Sequence, residues 1–385
     1  MFSAVLRAGT SGFSLLLVPC WPLLAGFLLL LLPRDQTNVA GRFLAASGLV
    51  VAALFTPFMP EQDVLSDVVR LLAASIPFLA WRDGLGRAAA VVPFFATSCV
   101  MLALTVHQVL AVVALLGLAS AFLALYDAAG AVRARSAWET AQLRVAGVMM
   151  ALLGATFTTL SATAVGSGTL RTGDLLLSVG LCLIAGLGHV PAPPPAGRPA
   201  LLDILPRLGA SALMLRLPAH DVTDAVFLAL GLVTLWLCAF RQRAGGALFA
   251  AMMALCAGAS GGGGSDRGMA AESPVLVAGL LFCIAATALA TERIDDRQRA
   301  WMETAQPPSP LFMGSLLLLA ELLPGHPLMA ALILGGLGLQ VARAGPGDWP
   351  RRMDRADLMF WGLVLVGLLS PLLLLWPLAL AWHPS

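Results

Sequence analysis

Ionisable residues buried in long apolar stretches are the first place to look for chemistry in this sequence, and few are present. Asp203 and Arg207 stand four residues apart in LLDILPRLGASALMLRL, a spacing that puts both on one face of a helix. Two readings stand for Arg207: an ion pair with Asp203 inside the apolar segment, or a side chain that snorkels back to the nearer interface. Asp67 and Arg70 are three apart and neutralise each other if that segment is helical. Asp127 closes another apolar run beside Tyr126, and Glu321 sits near the end of a later one, where anchoring at an interface competes with a buried role. His107, His220 and His326 fall in short connections, and His189 ends an apolar run. None has a neighbour that would make a metal site. Cys20, Cys99, Cys182, Cys238, Cys256 and Cys283 lie singly in apolar surroundings and read as packing residues.

No P-loop, no glycine fingerprint between a strand and a helix, and no HExxH is present. The run GASGGGGSD lacks the Lys and the following helix that phosphate binding needs, so it reads as a linker. No bound cofactor and no metal are expected.

The elements that carry these residues follow from composition. Of 385 residues, 59% are hydrophobic and 11% charged, with a mean hydropathy of +0.88. A water-soluble globule has about 25% charged residues, so that class is excluded. All 23 basic residues are Arg, nearly balanced by 21 acids, which leaves no basic surface for nucleic acid. In a bilayer core only helices or closed barrels satisfy their backbone groups, and the apolar runs here have helical length.

The fold class expected is all-α integral membrane, with about 14 transmembrane helices in one polytopic domain over 1–385. The spans fall near 13–33, 43–59, 64–81 and 88–104 (helices 1–4, 13–104), then 108–128, 145–166, 175–191 and 201–217 (helices 5–8, 108–217). Those near 223–240, 246–260, 274–291, 308–323 and 327–342 make helices 9–13 (223–342), and 358–379 is the C-terminal helix. Seventeen arginines fall in or beside alternate loops, three on the opposite side and three within spans. Positive charge collects on the cytoplasmic side, so both termini are expected to be non-cytoplasmic. The first run is too long for a signal peptide and lacks a cleavage site. Connections are too short for a soluble catalytic domain. The segment ERIDDRQRAWMETA fits either an amphipathic helix at the cytoplasmic surface or a solvated loop.

Several stretches, in order, resemble one family. LLLVPCWPLLAGFLLLLLPR is similar to its first helix, and VPFFATSCVMLALTVHQVLAVVALLGLASAFLALYDAAGA to its fourth and fifth. GVMMALLGATFTTLSATAVGSGTLRTGDLLLSVGLCLIAGLGHVP is similar to the sixth and seventh, PRLGASALMLRL to the eighth, and PPSPLFMGSLLLLAELLPGHPLMAALILGGLGLQVARA to the twelfth and thirteenth. The chain thus resembles the antiporter-like proton-translocating membrane subunits of respiratory complex I, in particular the N-type subunit, and their relatives in membrane-bound hydrogenases and Mrp-type antiporters.

The resemblance implies fourteen core helices, two inverted five-helix repeats each with a broken helix, and a midplane line of buried charges that relays protons. It also implies other membrane subunits of a respiratory or hydrogenase-type complex as partners, within a bacterial inner membrane. The family's fifth-helix Glu falls on Ala119, its seventh-helix Lys near Gly186 and Leu187, and its twelfth-helix charge on Ser315. The eighth-helix Lys falls on Arg207. Arg does not release its proton at accessible pH, so one charge of four remains and it does not titrate. The expected function is a non-redox membrane-arm subunit in one of two forms: a weakened relay with Asp203, Arg207, Asp127, His189 and Glu321 as its candidate residues, or a structural element in which the relay is lost. A stand-alone secondary transporter is the alternative; an enzyme acting on lipid would need a polar cluster that is missing.

Overall fold

The protein is described here from a computed structural model, over residues 2–33, 36–56, 64–81, 87–129, 134–161, 167–188, 200–218, 220–241, 245–260, 274–291, 296–344, 361–367 and 369. Among the described residues every regular element is a helix. Four helices are long and apolar enough to cross a membrane, and six shorter helical stretches are apolar throughout. The chain divides into two compact units: residues 1–184 with 192–213, and residues 185–191 with 214–385.

The first unit holds α1 (Phe2–Leu31), α2 (Thr37–Phe55), α3 (Val64–Leu79), α4 (Arg87–Thr105), α5 (Val109–Ala129), α6 (Ala134–Ser161), most of α7 (Ser167–Ala185) and most of α8 (Leu201–Arg216). Two of these start earlier than the apolar runs suggest. Helix α6 has 28 residues, about 42 Å at 1.5 Å per residue, and begins at Ala134 rather than 145. Hydrophobicity marks the part of a helix that meets hydrocarbon, whereas hydrogen bonding continues into the polar turns beyond it. The same holds for α1, which begins at Phe2 rather than 13.

Helix α1 packs on α2 and α4 around Ala25, Leu29, Ala45, Val91 and Phe94. Two side-chain bonds cross this layer: Ser98 Oγ donates to the Pro19 carbonyl at 2.6 Å, and Trp21 Nε1 donates to Ser47 Oγ at 3.2 Å. Helices α6 and α7 meet backbone to backbone. A Cβ on Gly154 would lie 2.3 Å from the Leu177 nitrogen, and one on Gly180 would lie 2.4 Å from the Ala151 nitrogen. Small residues at such crossings replace the hydrophobic effect, absent between helices in lipid, with close van der Waals contact.

The second unit holds α9 (Asp221–Arg241), α10 (Gly245–Ala259), α11 (Pro274–Leu289), α12 (Asp296–Glu303), α13 (Pro310–Gly325) and α14 (Pro327–Ala344), with a helical stretch at 361–367. Helix α10 packs against α9 and α11, and from Ala247 to Ala257 all its residues are buried. A helix apolar on every side belongs in an interior. The chain leaves α7 through Gly186 (φ 85°) and Gly188 (φ 75°), a left-handed conformation that glycine adopts at no steric cost. The Gly188 N–H then donates to Thr234 Oγ1 on α9 at 2.9 Å.

Of the two readings of the charged segment, the helix is the one formed. Helix α12 turns Trp301 and Met302 inward and leaves Ala300 exposed. It stops before Ala305 (φ 48°), and α13 restarts with Ser309 as N-cap, its Oγ accepting from the Phe312 N–H at 3.2 Å, and Pro310 in the first turn. The expected C-terminal helix 358–379 lies outside the described residues except for 361–367 and 369.

Candidate functional site

Helix α8 organises the buried polar groups of the first unit. From Leu201 to Leu215 every residue but Asp203 is buried, so a polar residue on it has no route to solvent except along the helix. Asp203, Arg207 and Ser211 recur every four residues and form one polar stripe. Arg207 is 4% exposed and Ser211 0%. Asp203 lies in the first turn and Arg216 in the last, the arrangement that the helix dipole favours at each end. Pro206 has no N–H, which leaves the Leu202 carbonyl without its intrahelical donor next to the stripe.

Asp203 has a partner on another helix. Arg144 Nη2 of α6 donates to Asp203 Oδ1 at 2.8 Å, with the Arg144 side chain 6% exposed and that of Asp203 22%. The spacing argument did not find Arg144, which stands just ahead of the apolar run and counts there as a loop arginine. The signal was available: extending α6 by one turn upstream puts Arg144 on the helix. Arg207 lies one turn further along α8, buried beside this pair.

A second buried charge pair forms where spacing indicated. On α3, Arg70 Nη1 lies 2.8 Å from Asp67 Oδ1, and its Nη2 donates to the Leu104 carbonyl at 2.9 Å. Leu104 is in the last turn of α4, where carbonyls lack intrahelical donors. The planar guanidinium thus joins a carboxylate to a helix C-terminus, a role for which its forked donors are suited.

The remaining candidates are dispersed. Asp127 is half-buried in the last turn of α5, next to Tyr126, which is buried. Glu321 is exposed on α13, in the other unit. His189 lies outside the described residues, and His107, His220 and His326 are exposed. At the positions where the resemblance places charges, Ala119 is fully buried on α5, Gly186 and Leu187 form the turn after α7, and Ser315 Oγ donates to the Leu311 carbonyl of its own helix at 2.7 Å. Among the described residues no three of His, Cys, Asp and Glu converge as metal ligands. Five cysteines are buried and Cys20 partly so, all as free thiols.

Apolar helices, outward-facing leucines and internally paired charges define an all-α, multi-pass integral membrane protein. No family model matches the sequence, and no curated protein matches it. The fold is nonetheless shared. A chain of respiratory complex I from Thermus thermophilus superposes with a TM-score of 0.61 at 16% identity, covering 94% of this chain and 94% of that one. A chain of the membrane-bound sulfane sulfur reductase, an archaeal respiratory membrane complex, gives 0.66 at 12% identity over 93% and 95%. A chain of the Mrp complex from a Dietzia species gives 0.62 at 14% identity; the match covers 96% of this chain and 50% of that one, so this chain spans half its length. The fold is therefore one that this chain shares with a chain of each of these three membrane complexes.

Proposed function

We propose that this chain is a membrane-arm subunit of a respiratory or hydrogenase-type assembly, descended from a proton-translocating antiporter-like subunit and retained for structure, its proton relay weakened or lost. It would cross a bacterial inner membrane fourteen times, with both ends on the non-cytoplasmic side, in two inverted five-helix repeats. It would carry no cofactor, redox chemistry residing in other subunits.

One observation supports this reading above the rest: both acids of the first unit for which an ion pair is described are held by a buried arginine. Asp203 lies 2.8 Å from Arg144 and Asp67 lies 2.8 Å from Arg70. A relay needs groups that take up and release protons near neutral pH; a guanidinium does neither. Ala119, buried where the family's carboxylate would stand, offers no alternative. Asp203, Arg207 and Asp127 then serve as packing and pairing groups.

The test is purification of the tagged chain from its native membrane in mild detergent, with mass spectrometry of what accompanies it. Quinone-reductase or hydrogenase-type subunits at stoichiometric levels are expected. In vesicles containing that assembly, Asp203→Asn should leave proton pumping per electron unchanged. Recovery of the chain alone would overturn the subunit reading and favour a stand-alone transporter. Pumping lost in Asp203→Asn, with the assembly intact, would overturn the structural role.

A further inference from the structure

The second unit carries a charge that its own surroundings disfavour. Glu321 lies in the apolar helix α13 four residues before its end at Gly325, and it is exposed. Around it, Leu316, Leu323, Leu328 and Leu334 of the α13–α14 hairpin also face outward, at 44%, 62%, 73% and 61% exposure. Three effects act against a lone carboxylate here. The C-terminal half of a helix presents the negative end of its dipole, which repels an anion. Every Cα–Cβ bond of a helix leans toward the N-terminus, so the Glu321 side chain leans away from the nearby helix end and deeper into the apolar layer. A Glu side chain is also too short to snorkel as Lys and Arg do. Among the described residues no cation pairs with it.

The same hairpin is open to a neighbour. A Cβ added to Gly325, one turn from Glu321, or to Gly338 on α14 would meet nothing within 4 Å. Exposed glycines of this kind let the backbone of another helix come close, and a polar group across such a contact holds it.

We infer that the outward face of α13 and α14 is the seat of a transmembrane helix from another subunit, which brings an Arg or Lys to Glu321. This rests on the subunit reading above. A charge paired across an interface selects the partner and its register, whereas lipid tails offer Glu321 no cation.

The test uses the assembly in its native membrane, with a photo-activated benzophenone residue in place of Leu328 and, as control, in place of Phe43 on α2, which is equally exposed at 73%. The Leu328 probe should capture one transmembrane segment of a co-purifying subunit that bears an Arg or Lys, and the Phe43 probe should not capture that segment. Glu321→Arg should lower the capture about tenfold, as expected for loss of a desolvated charge pair, and replacing the partner's basic residue by Glu should restore it. Capture of lipid alone, of residues 261–273 of this chain, or of a segment without a basic residue overturns the inference while the subunit reading stands. So does a Glu321→Arg protein that captures normally. Absence of any co-purifying subunit overturns both.

Discussion

Arg144 of α6 and Asp203 of α8, 59 residues apart in the chain, meet at 2.8 Å inside the first unit. The pair joins the long helix α6 to α8, whose residues from Leu201 to Leu215 are all buried except Asp203. The consequence is asymmetric. Removing one partner leaves the other buried and unmatched, whereas removing both leaves an apolar contact that the interior accepts.

For that reason Asp203→Asn and Arg144→Met should each destabilise the folded protein, by about 3 kcal/mol for a buried pair broken on one side. The double variant Arg144→Met with Asp203→Leu should recover most of the loss. A thiol-reactive dye read during heating measures this directly, because five free cysteines are buried in the folded chain. Equal losses in the single and double variants would show that the pair is not the source.

Arg70 should tolerate no conservative replacement. It holds Asp67 with one nitrogen and the Leu104 carbonyl with another, and Lys has a single ammonium that does not fork between them. Arg70→Lys is expected to lose about half the effect of Arg70→Met, which should cost about 3 kcal/mol. Midpoints of thermal unfolding in detergent order the two variants.

Two glycines should respond oppositely to the same change. Gly154→Ala puts a methyl 2.3 Å from the Leu177 nitrogen, which forces α6 and α7 apart and should cost about 1–3 kcal/mol. Gly362→Ala meets open space on the helical stretch 361–367 and should be neutral or stabilising by up to about 1 kcal/mol from helix propensity. Monodisperse yield on gel filtration, with the unfolding midpoint, separates them.

In native micelles a maleimide should label Cys20, partly exposed on α1, well before Cys99, Cys182, Cys238, Cys256 or Cys283, all buried. Burial removes both the access and the solvation that a thiolate needs. Mass spectrometry of timed samples gives the order; early modification of Cys182 or Cys256 would show that the helices around it open.

Much of the architecture was legible from residue order, and some pairings were too. Apolar runs fixed which segments are helices, since a backbone in hydrocarbon must bond to itself. The Asp67–Arg70 pair was readable because i and i+3 share a helix face whatever surrounds it. The order of the family resemblances pointed to the fold that chains of the solved complex I, sulfane sulfur reductase and Mrp complexes share with this one. The extra turns of α1 and α6 were less visible, since polar residues carry no apolar signal.

Residue order alone settles what is local and periodic: helical segments, their approximate limits and the spacing of charges along each one. Only the tertiary structure decided which helices touch. Arg144 meets Asp203, and Gly154 admits the backbone of α7, because close packing brings together residues far apart in the chain. One-dimensional spacing holds no information about such contacts, since the strength of an ion pair or a van der Waals seam depends on distance in space.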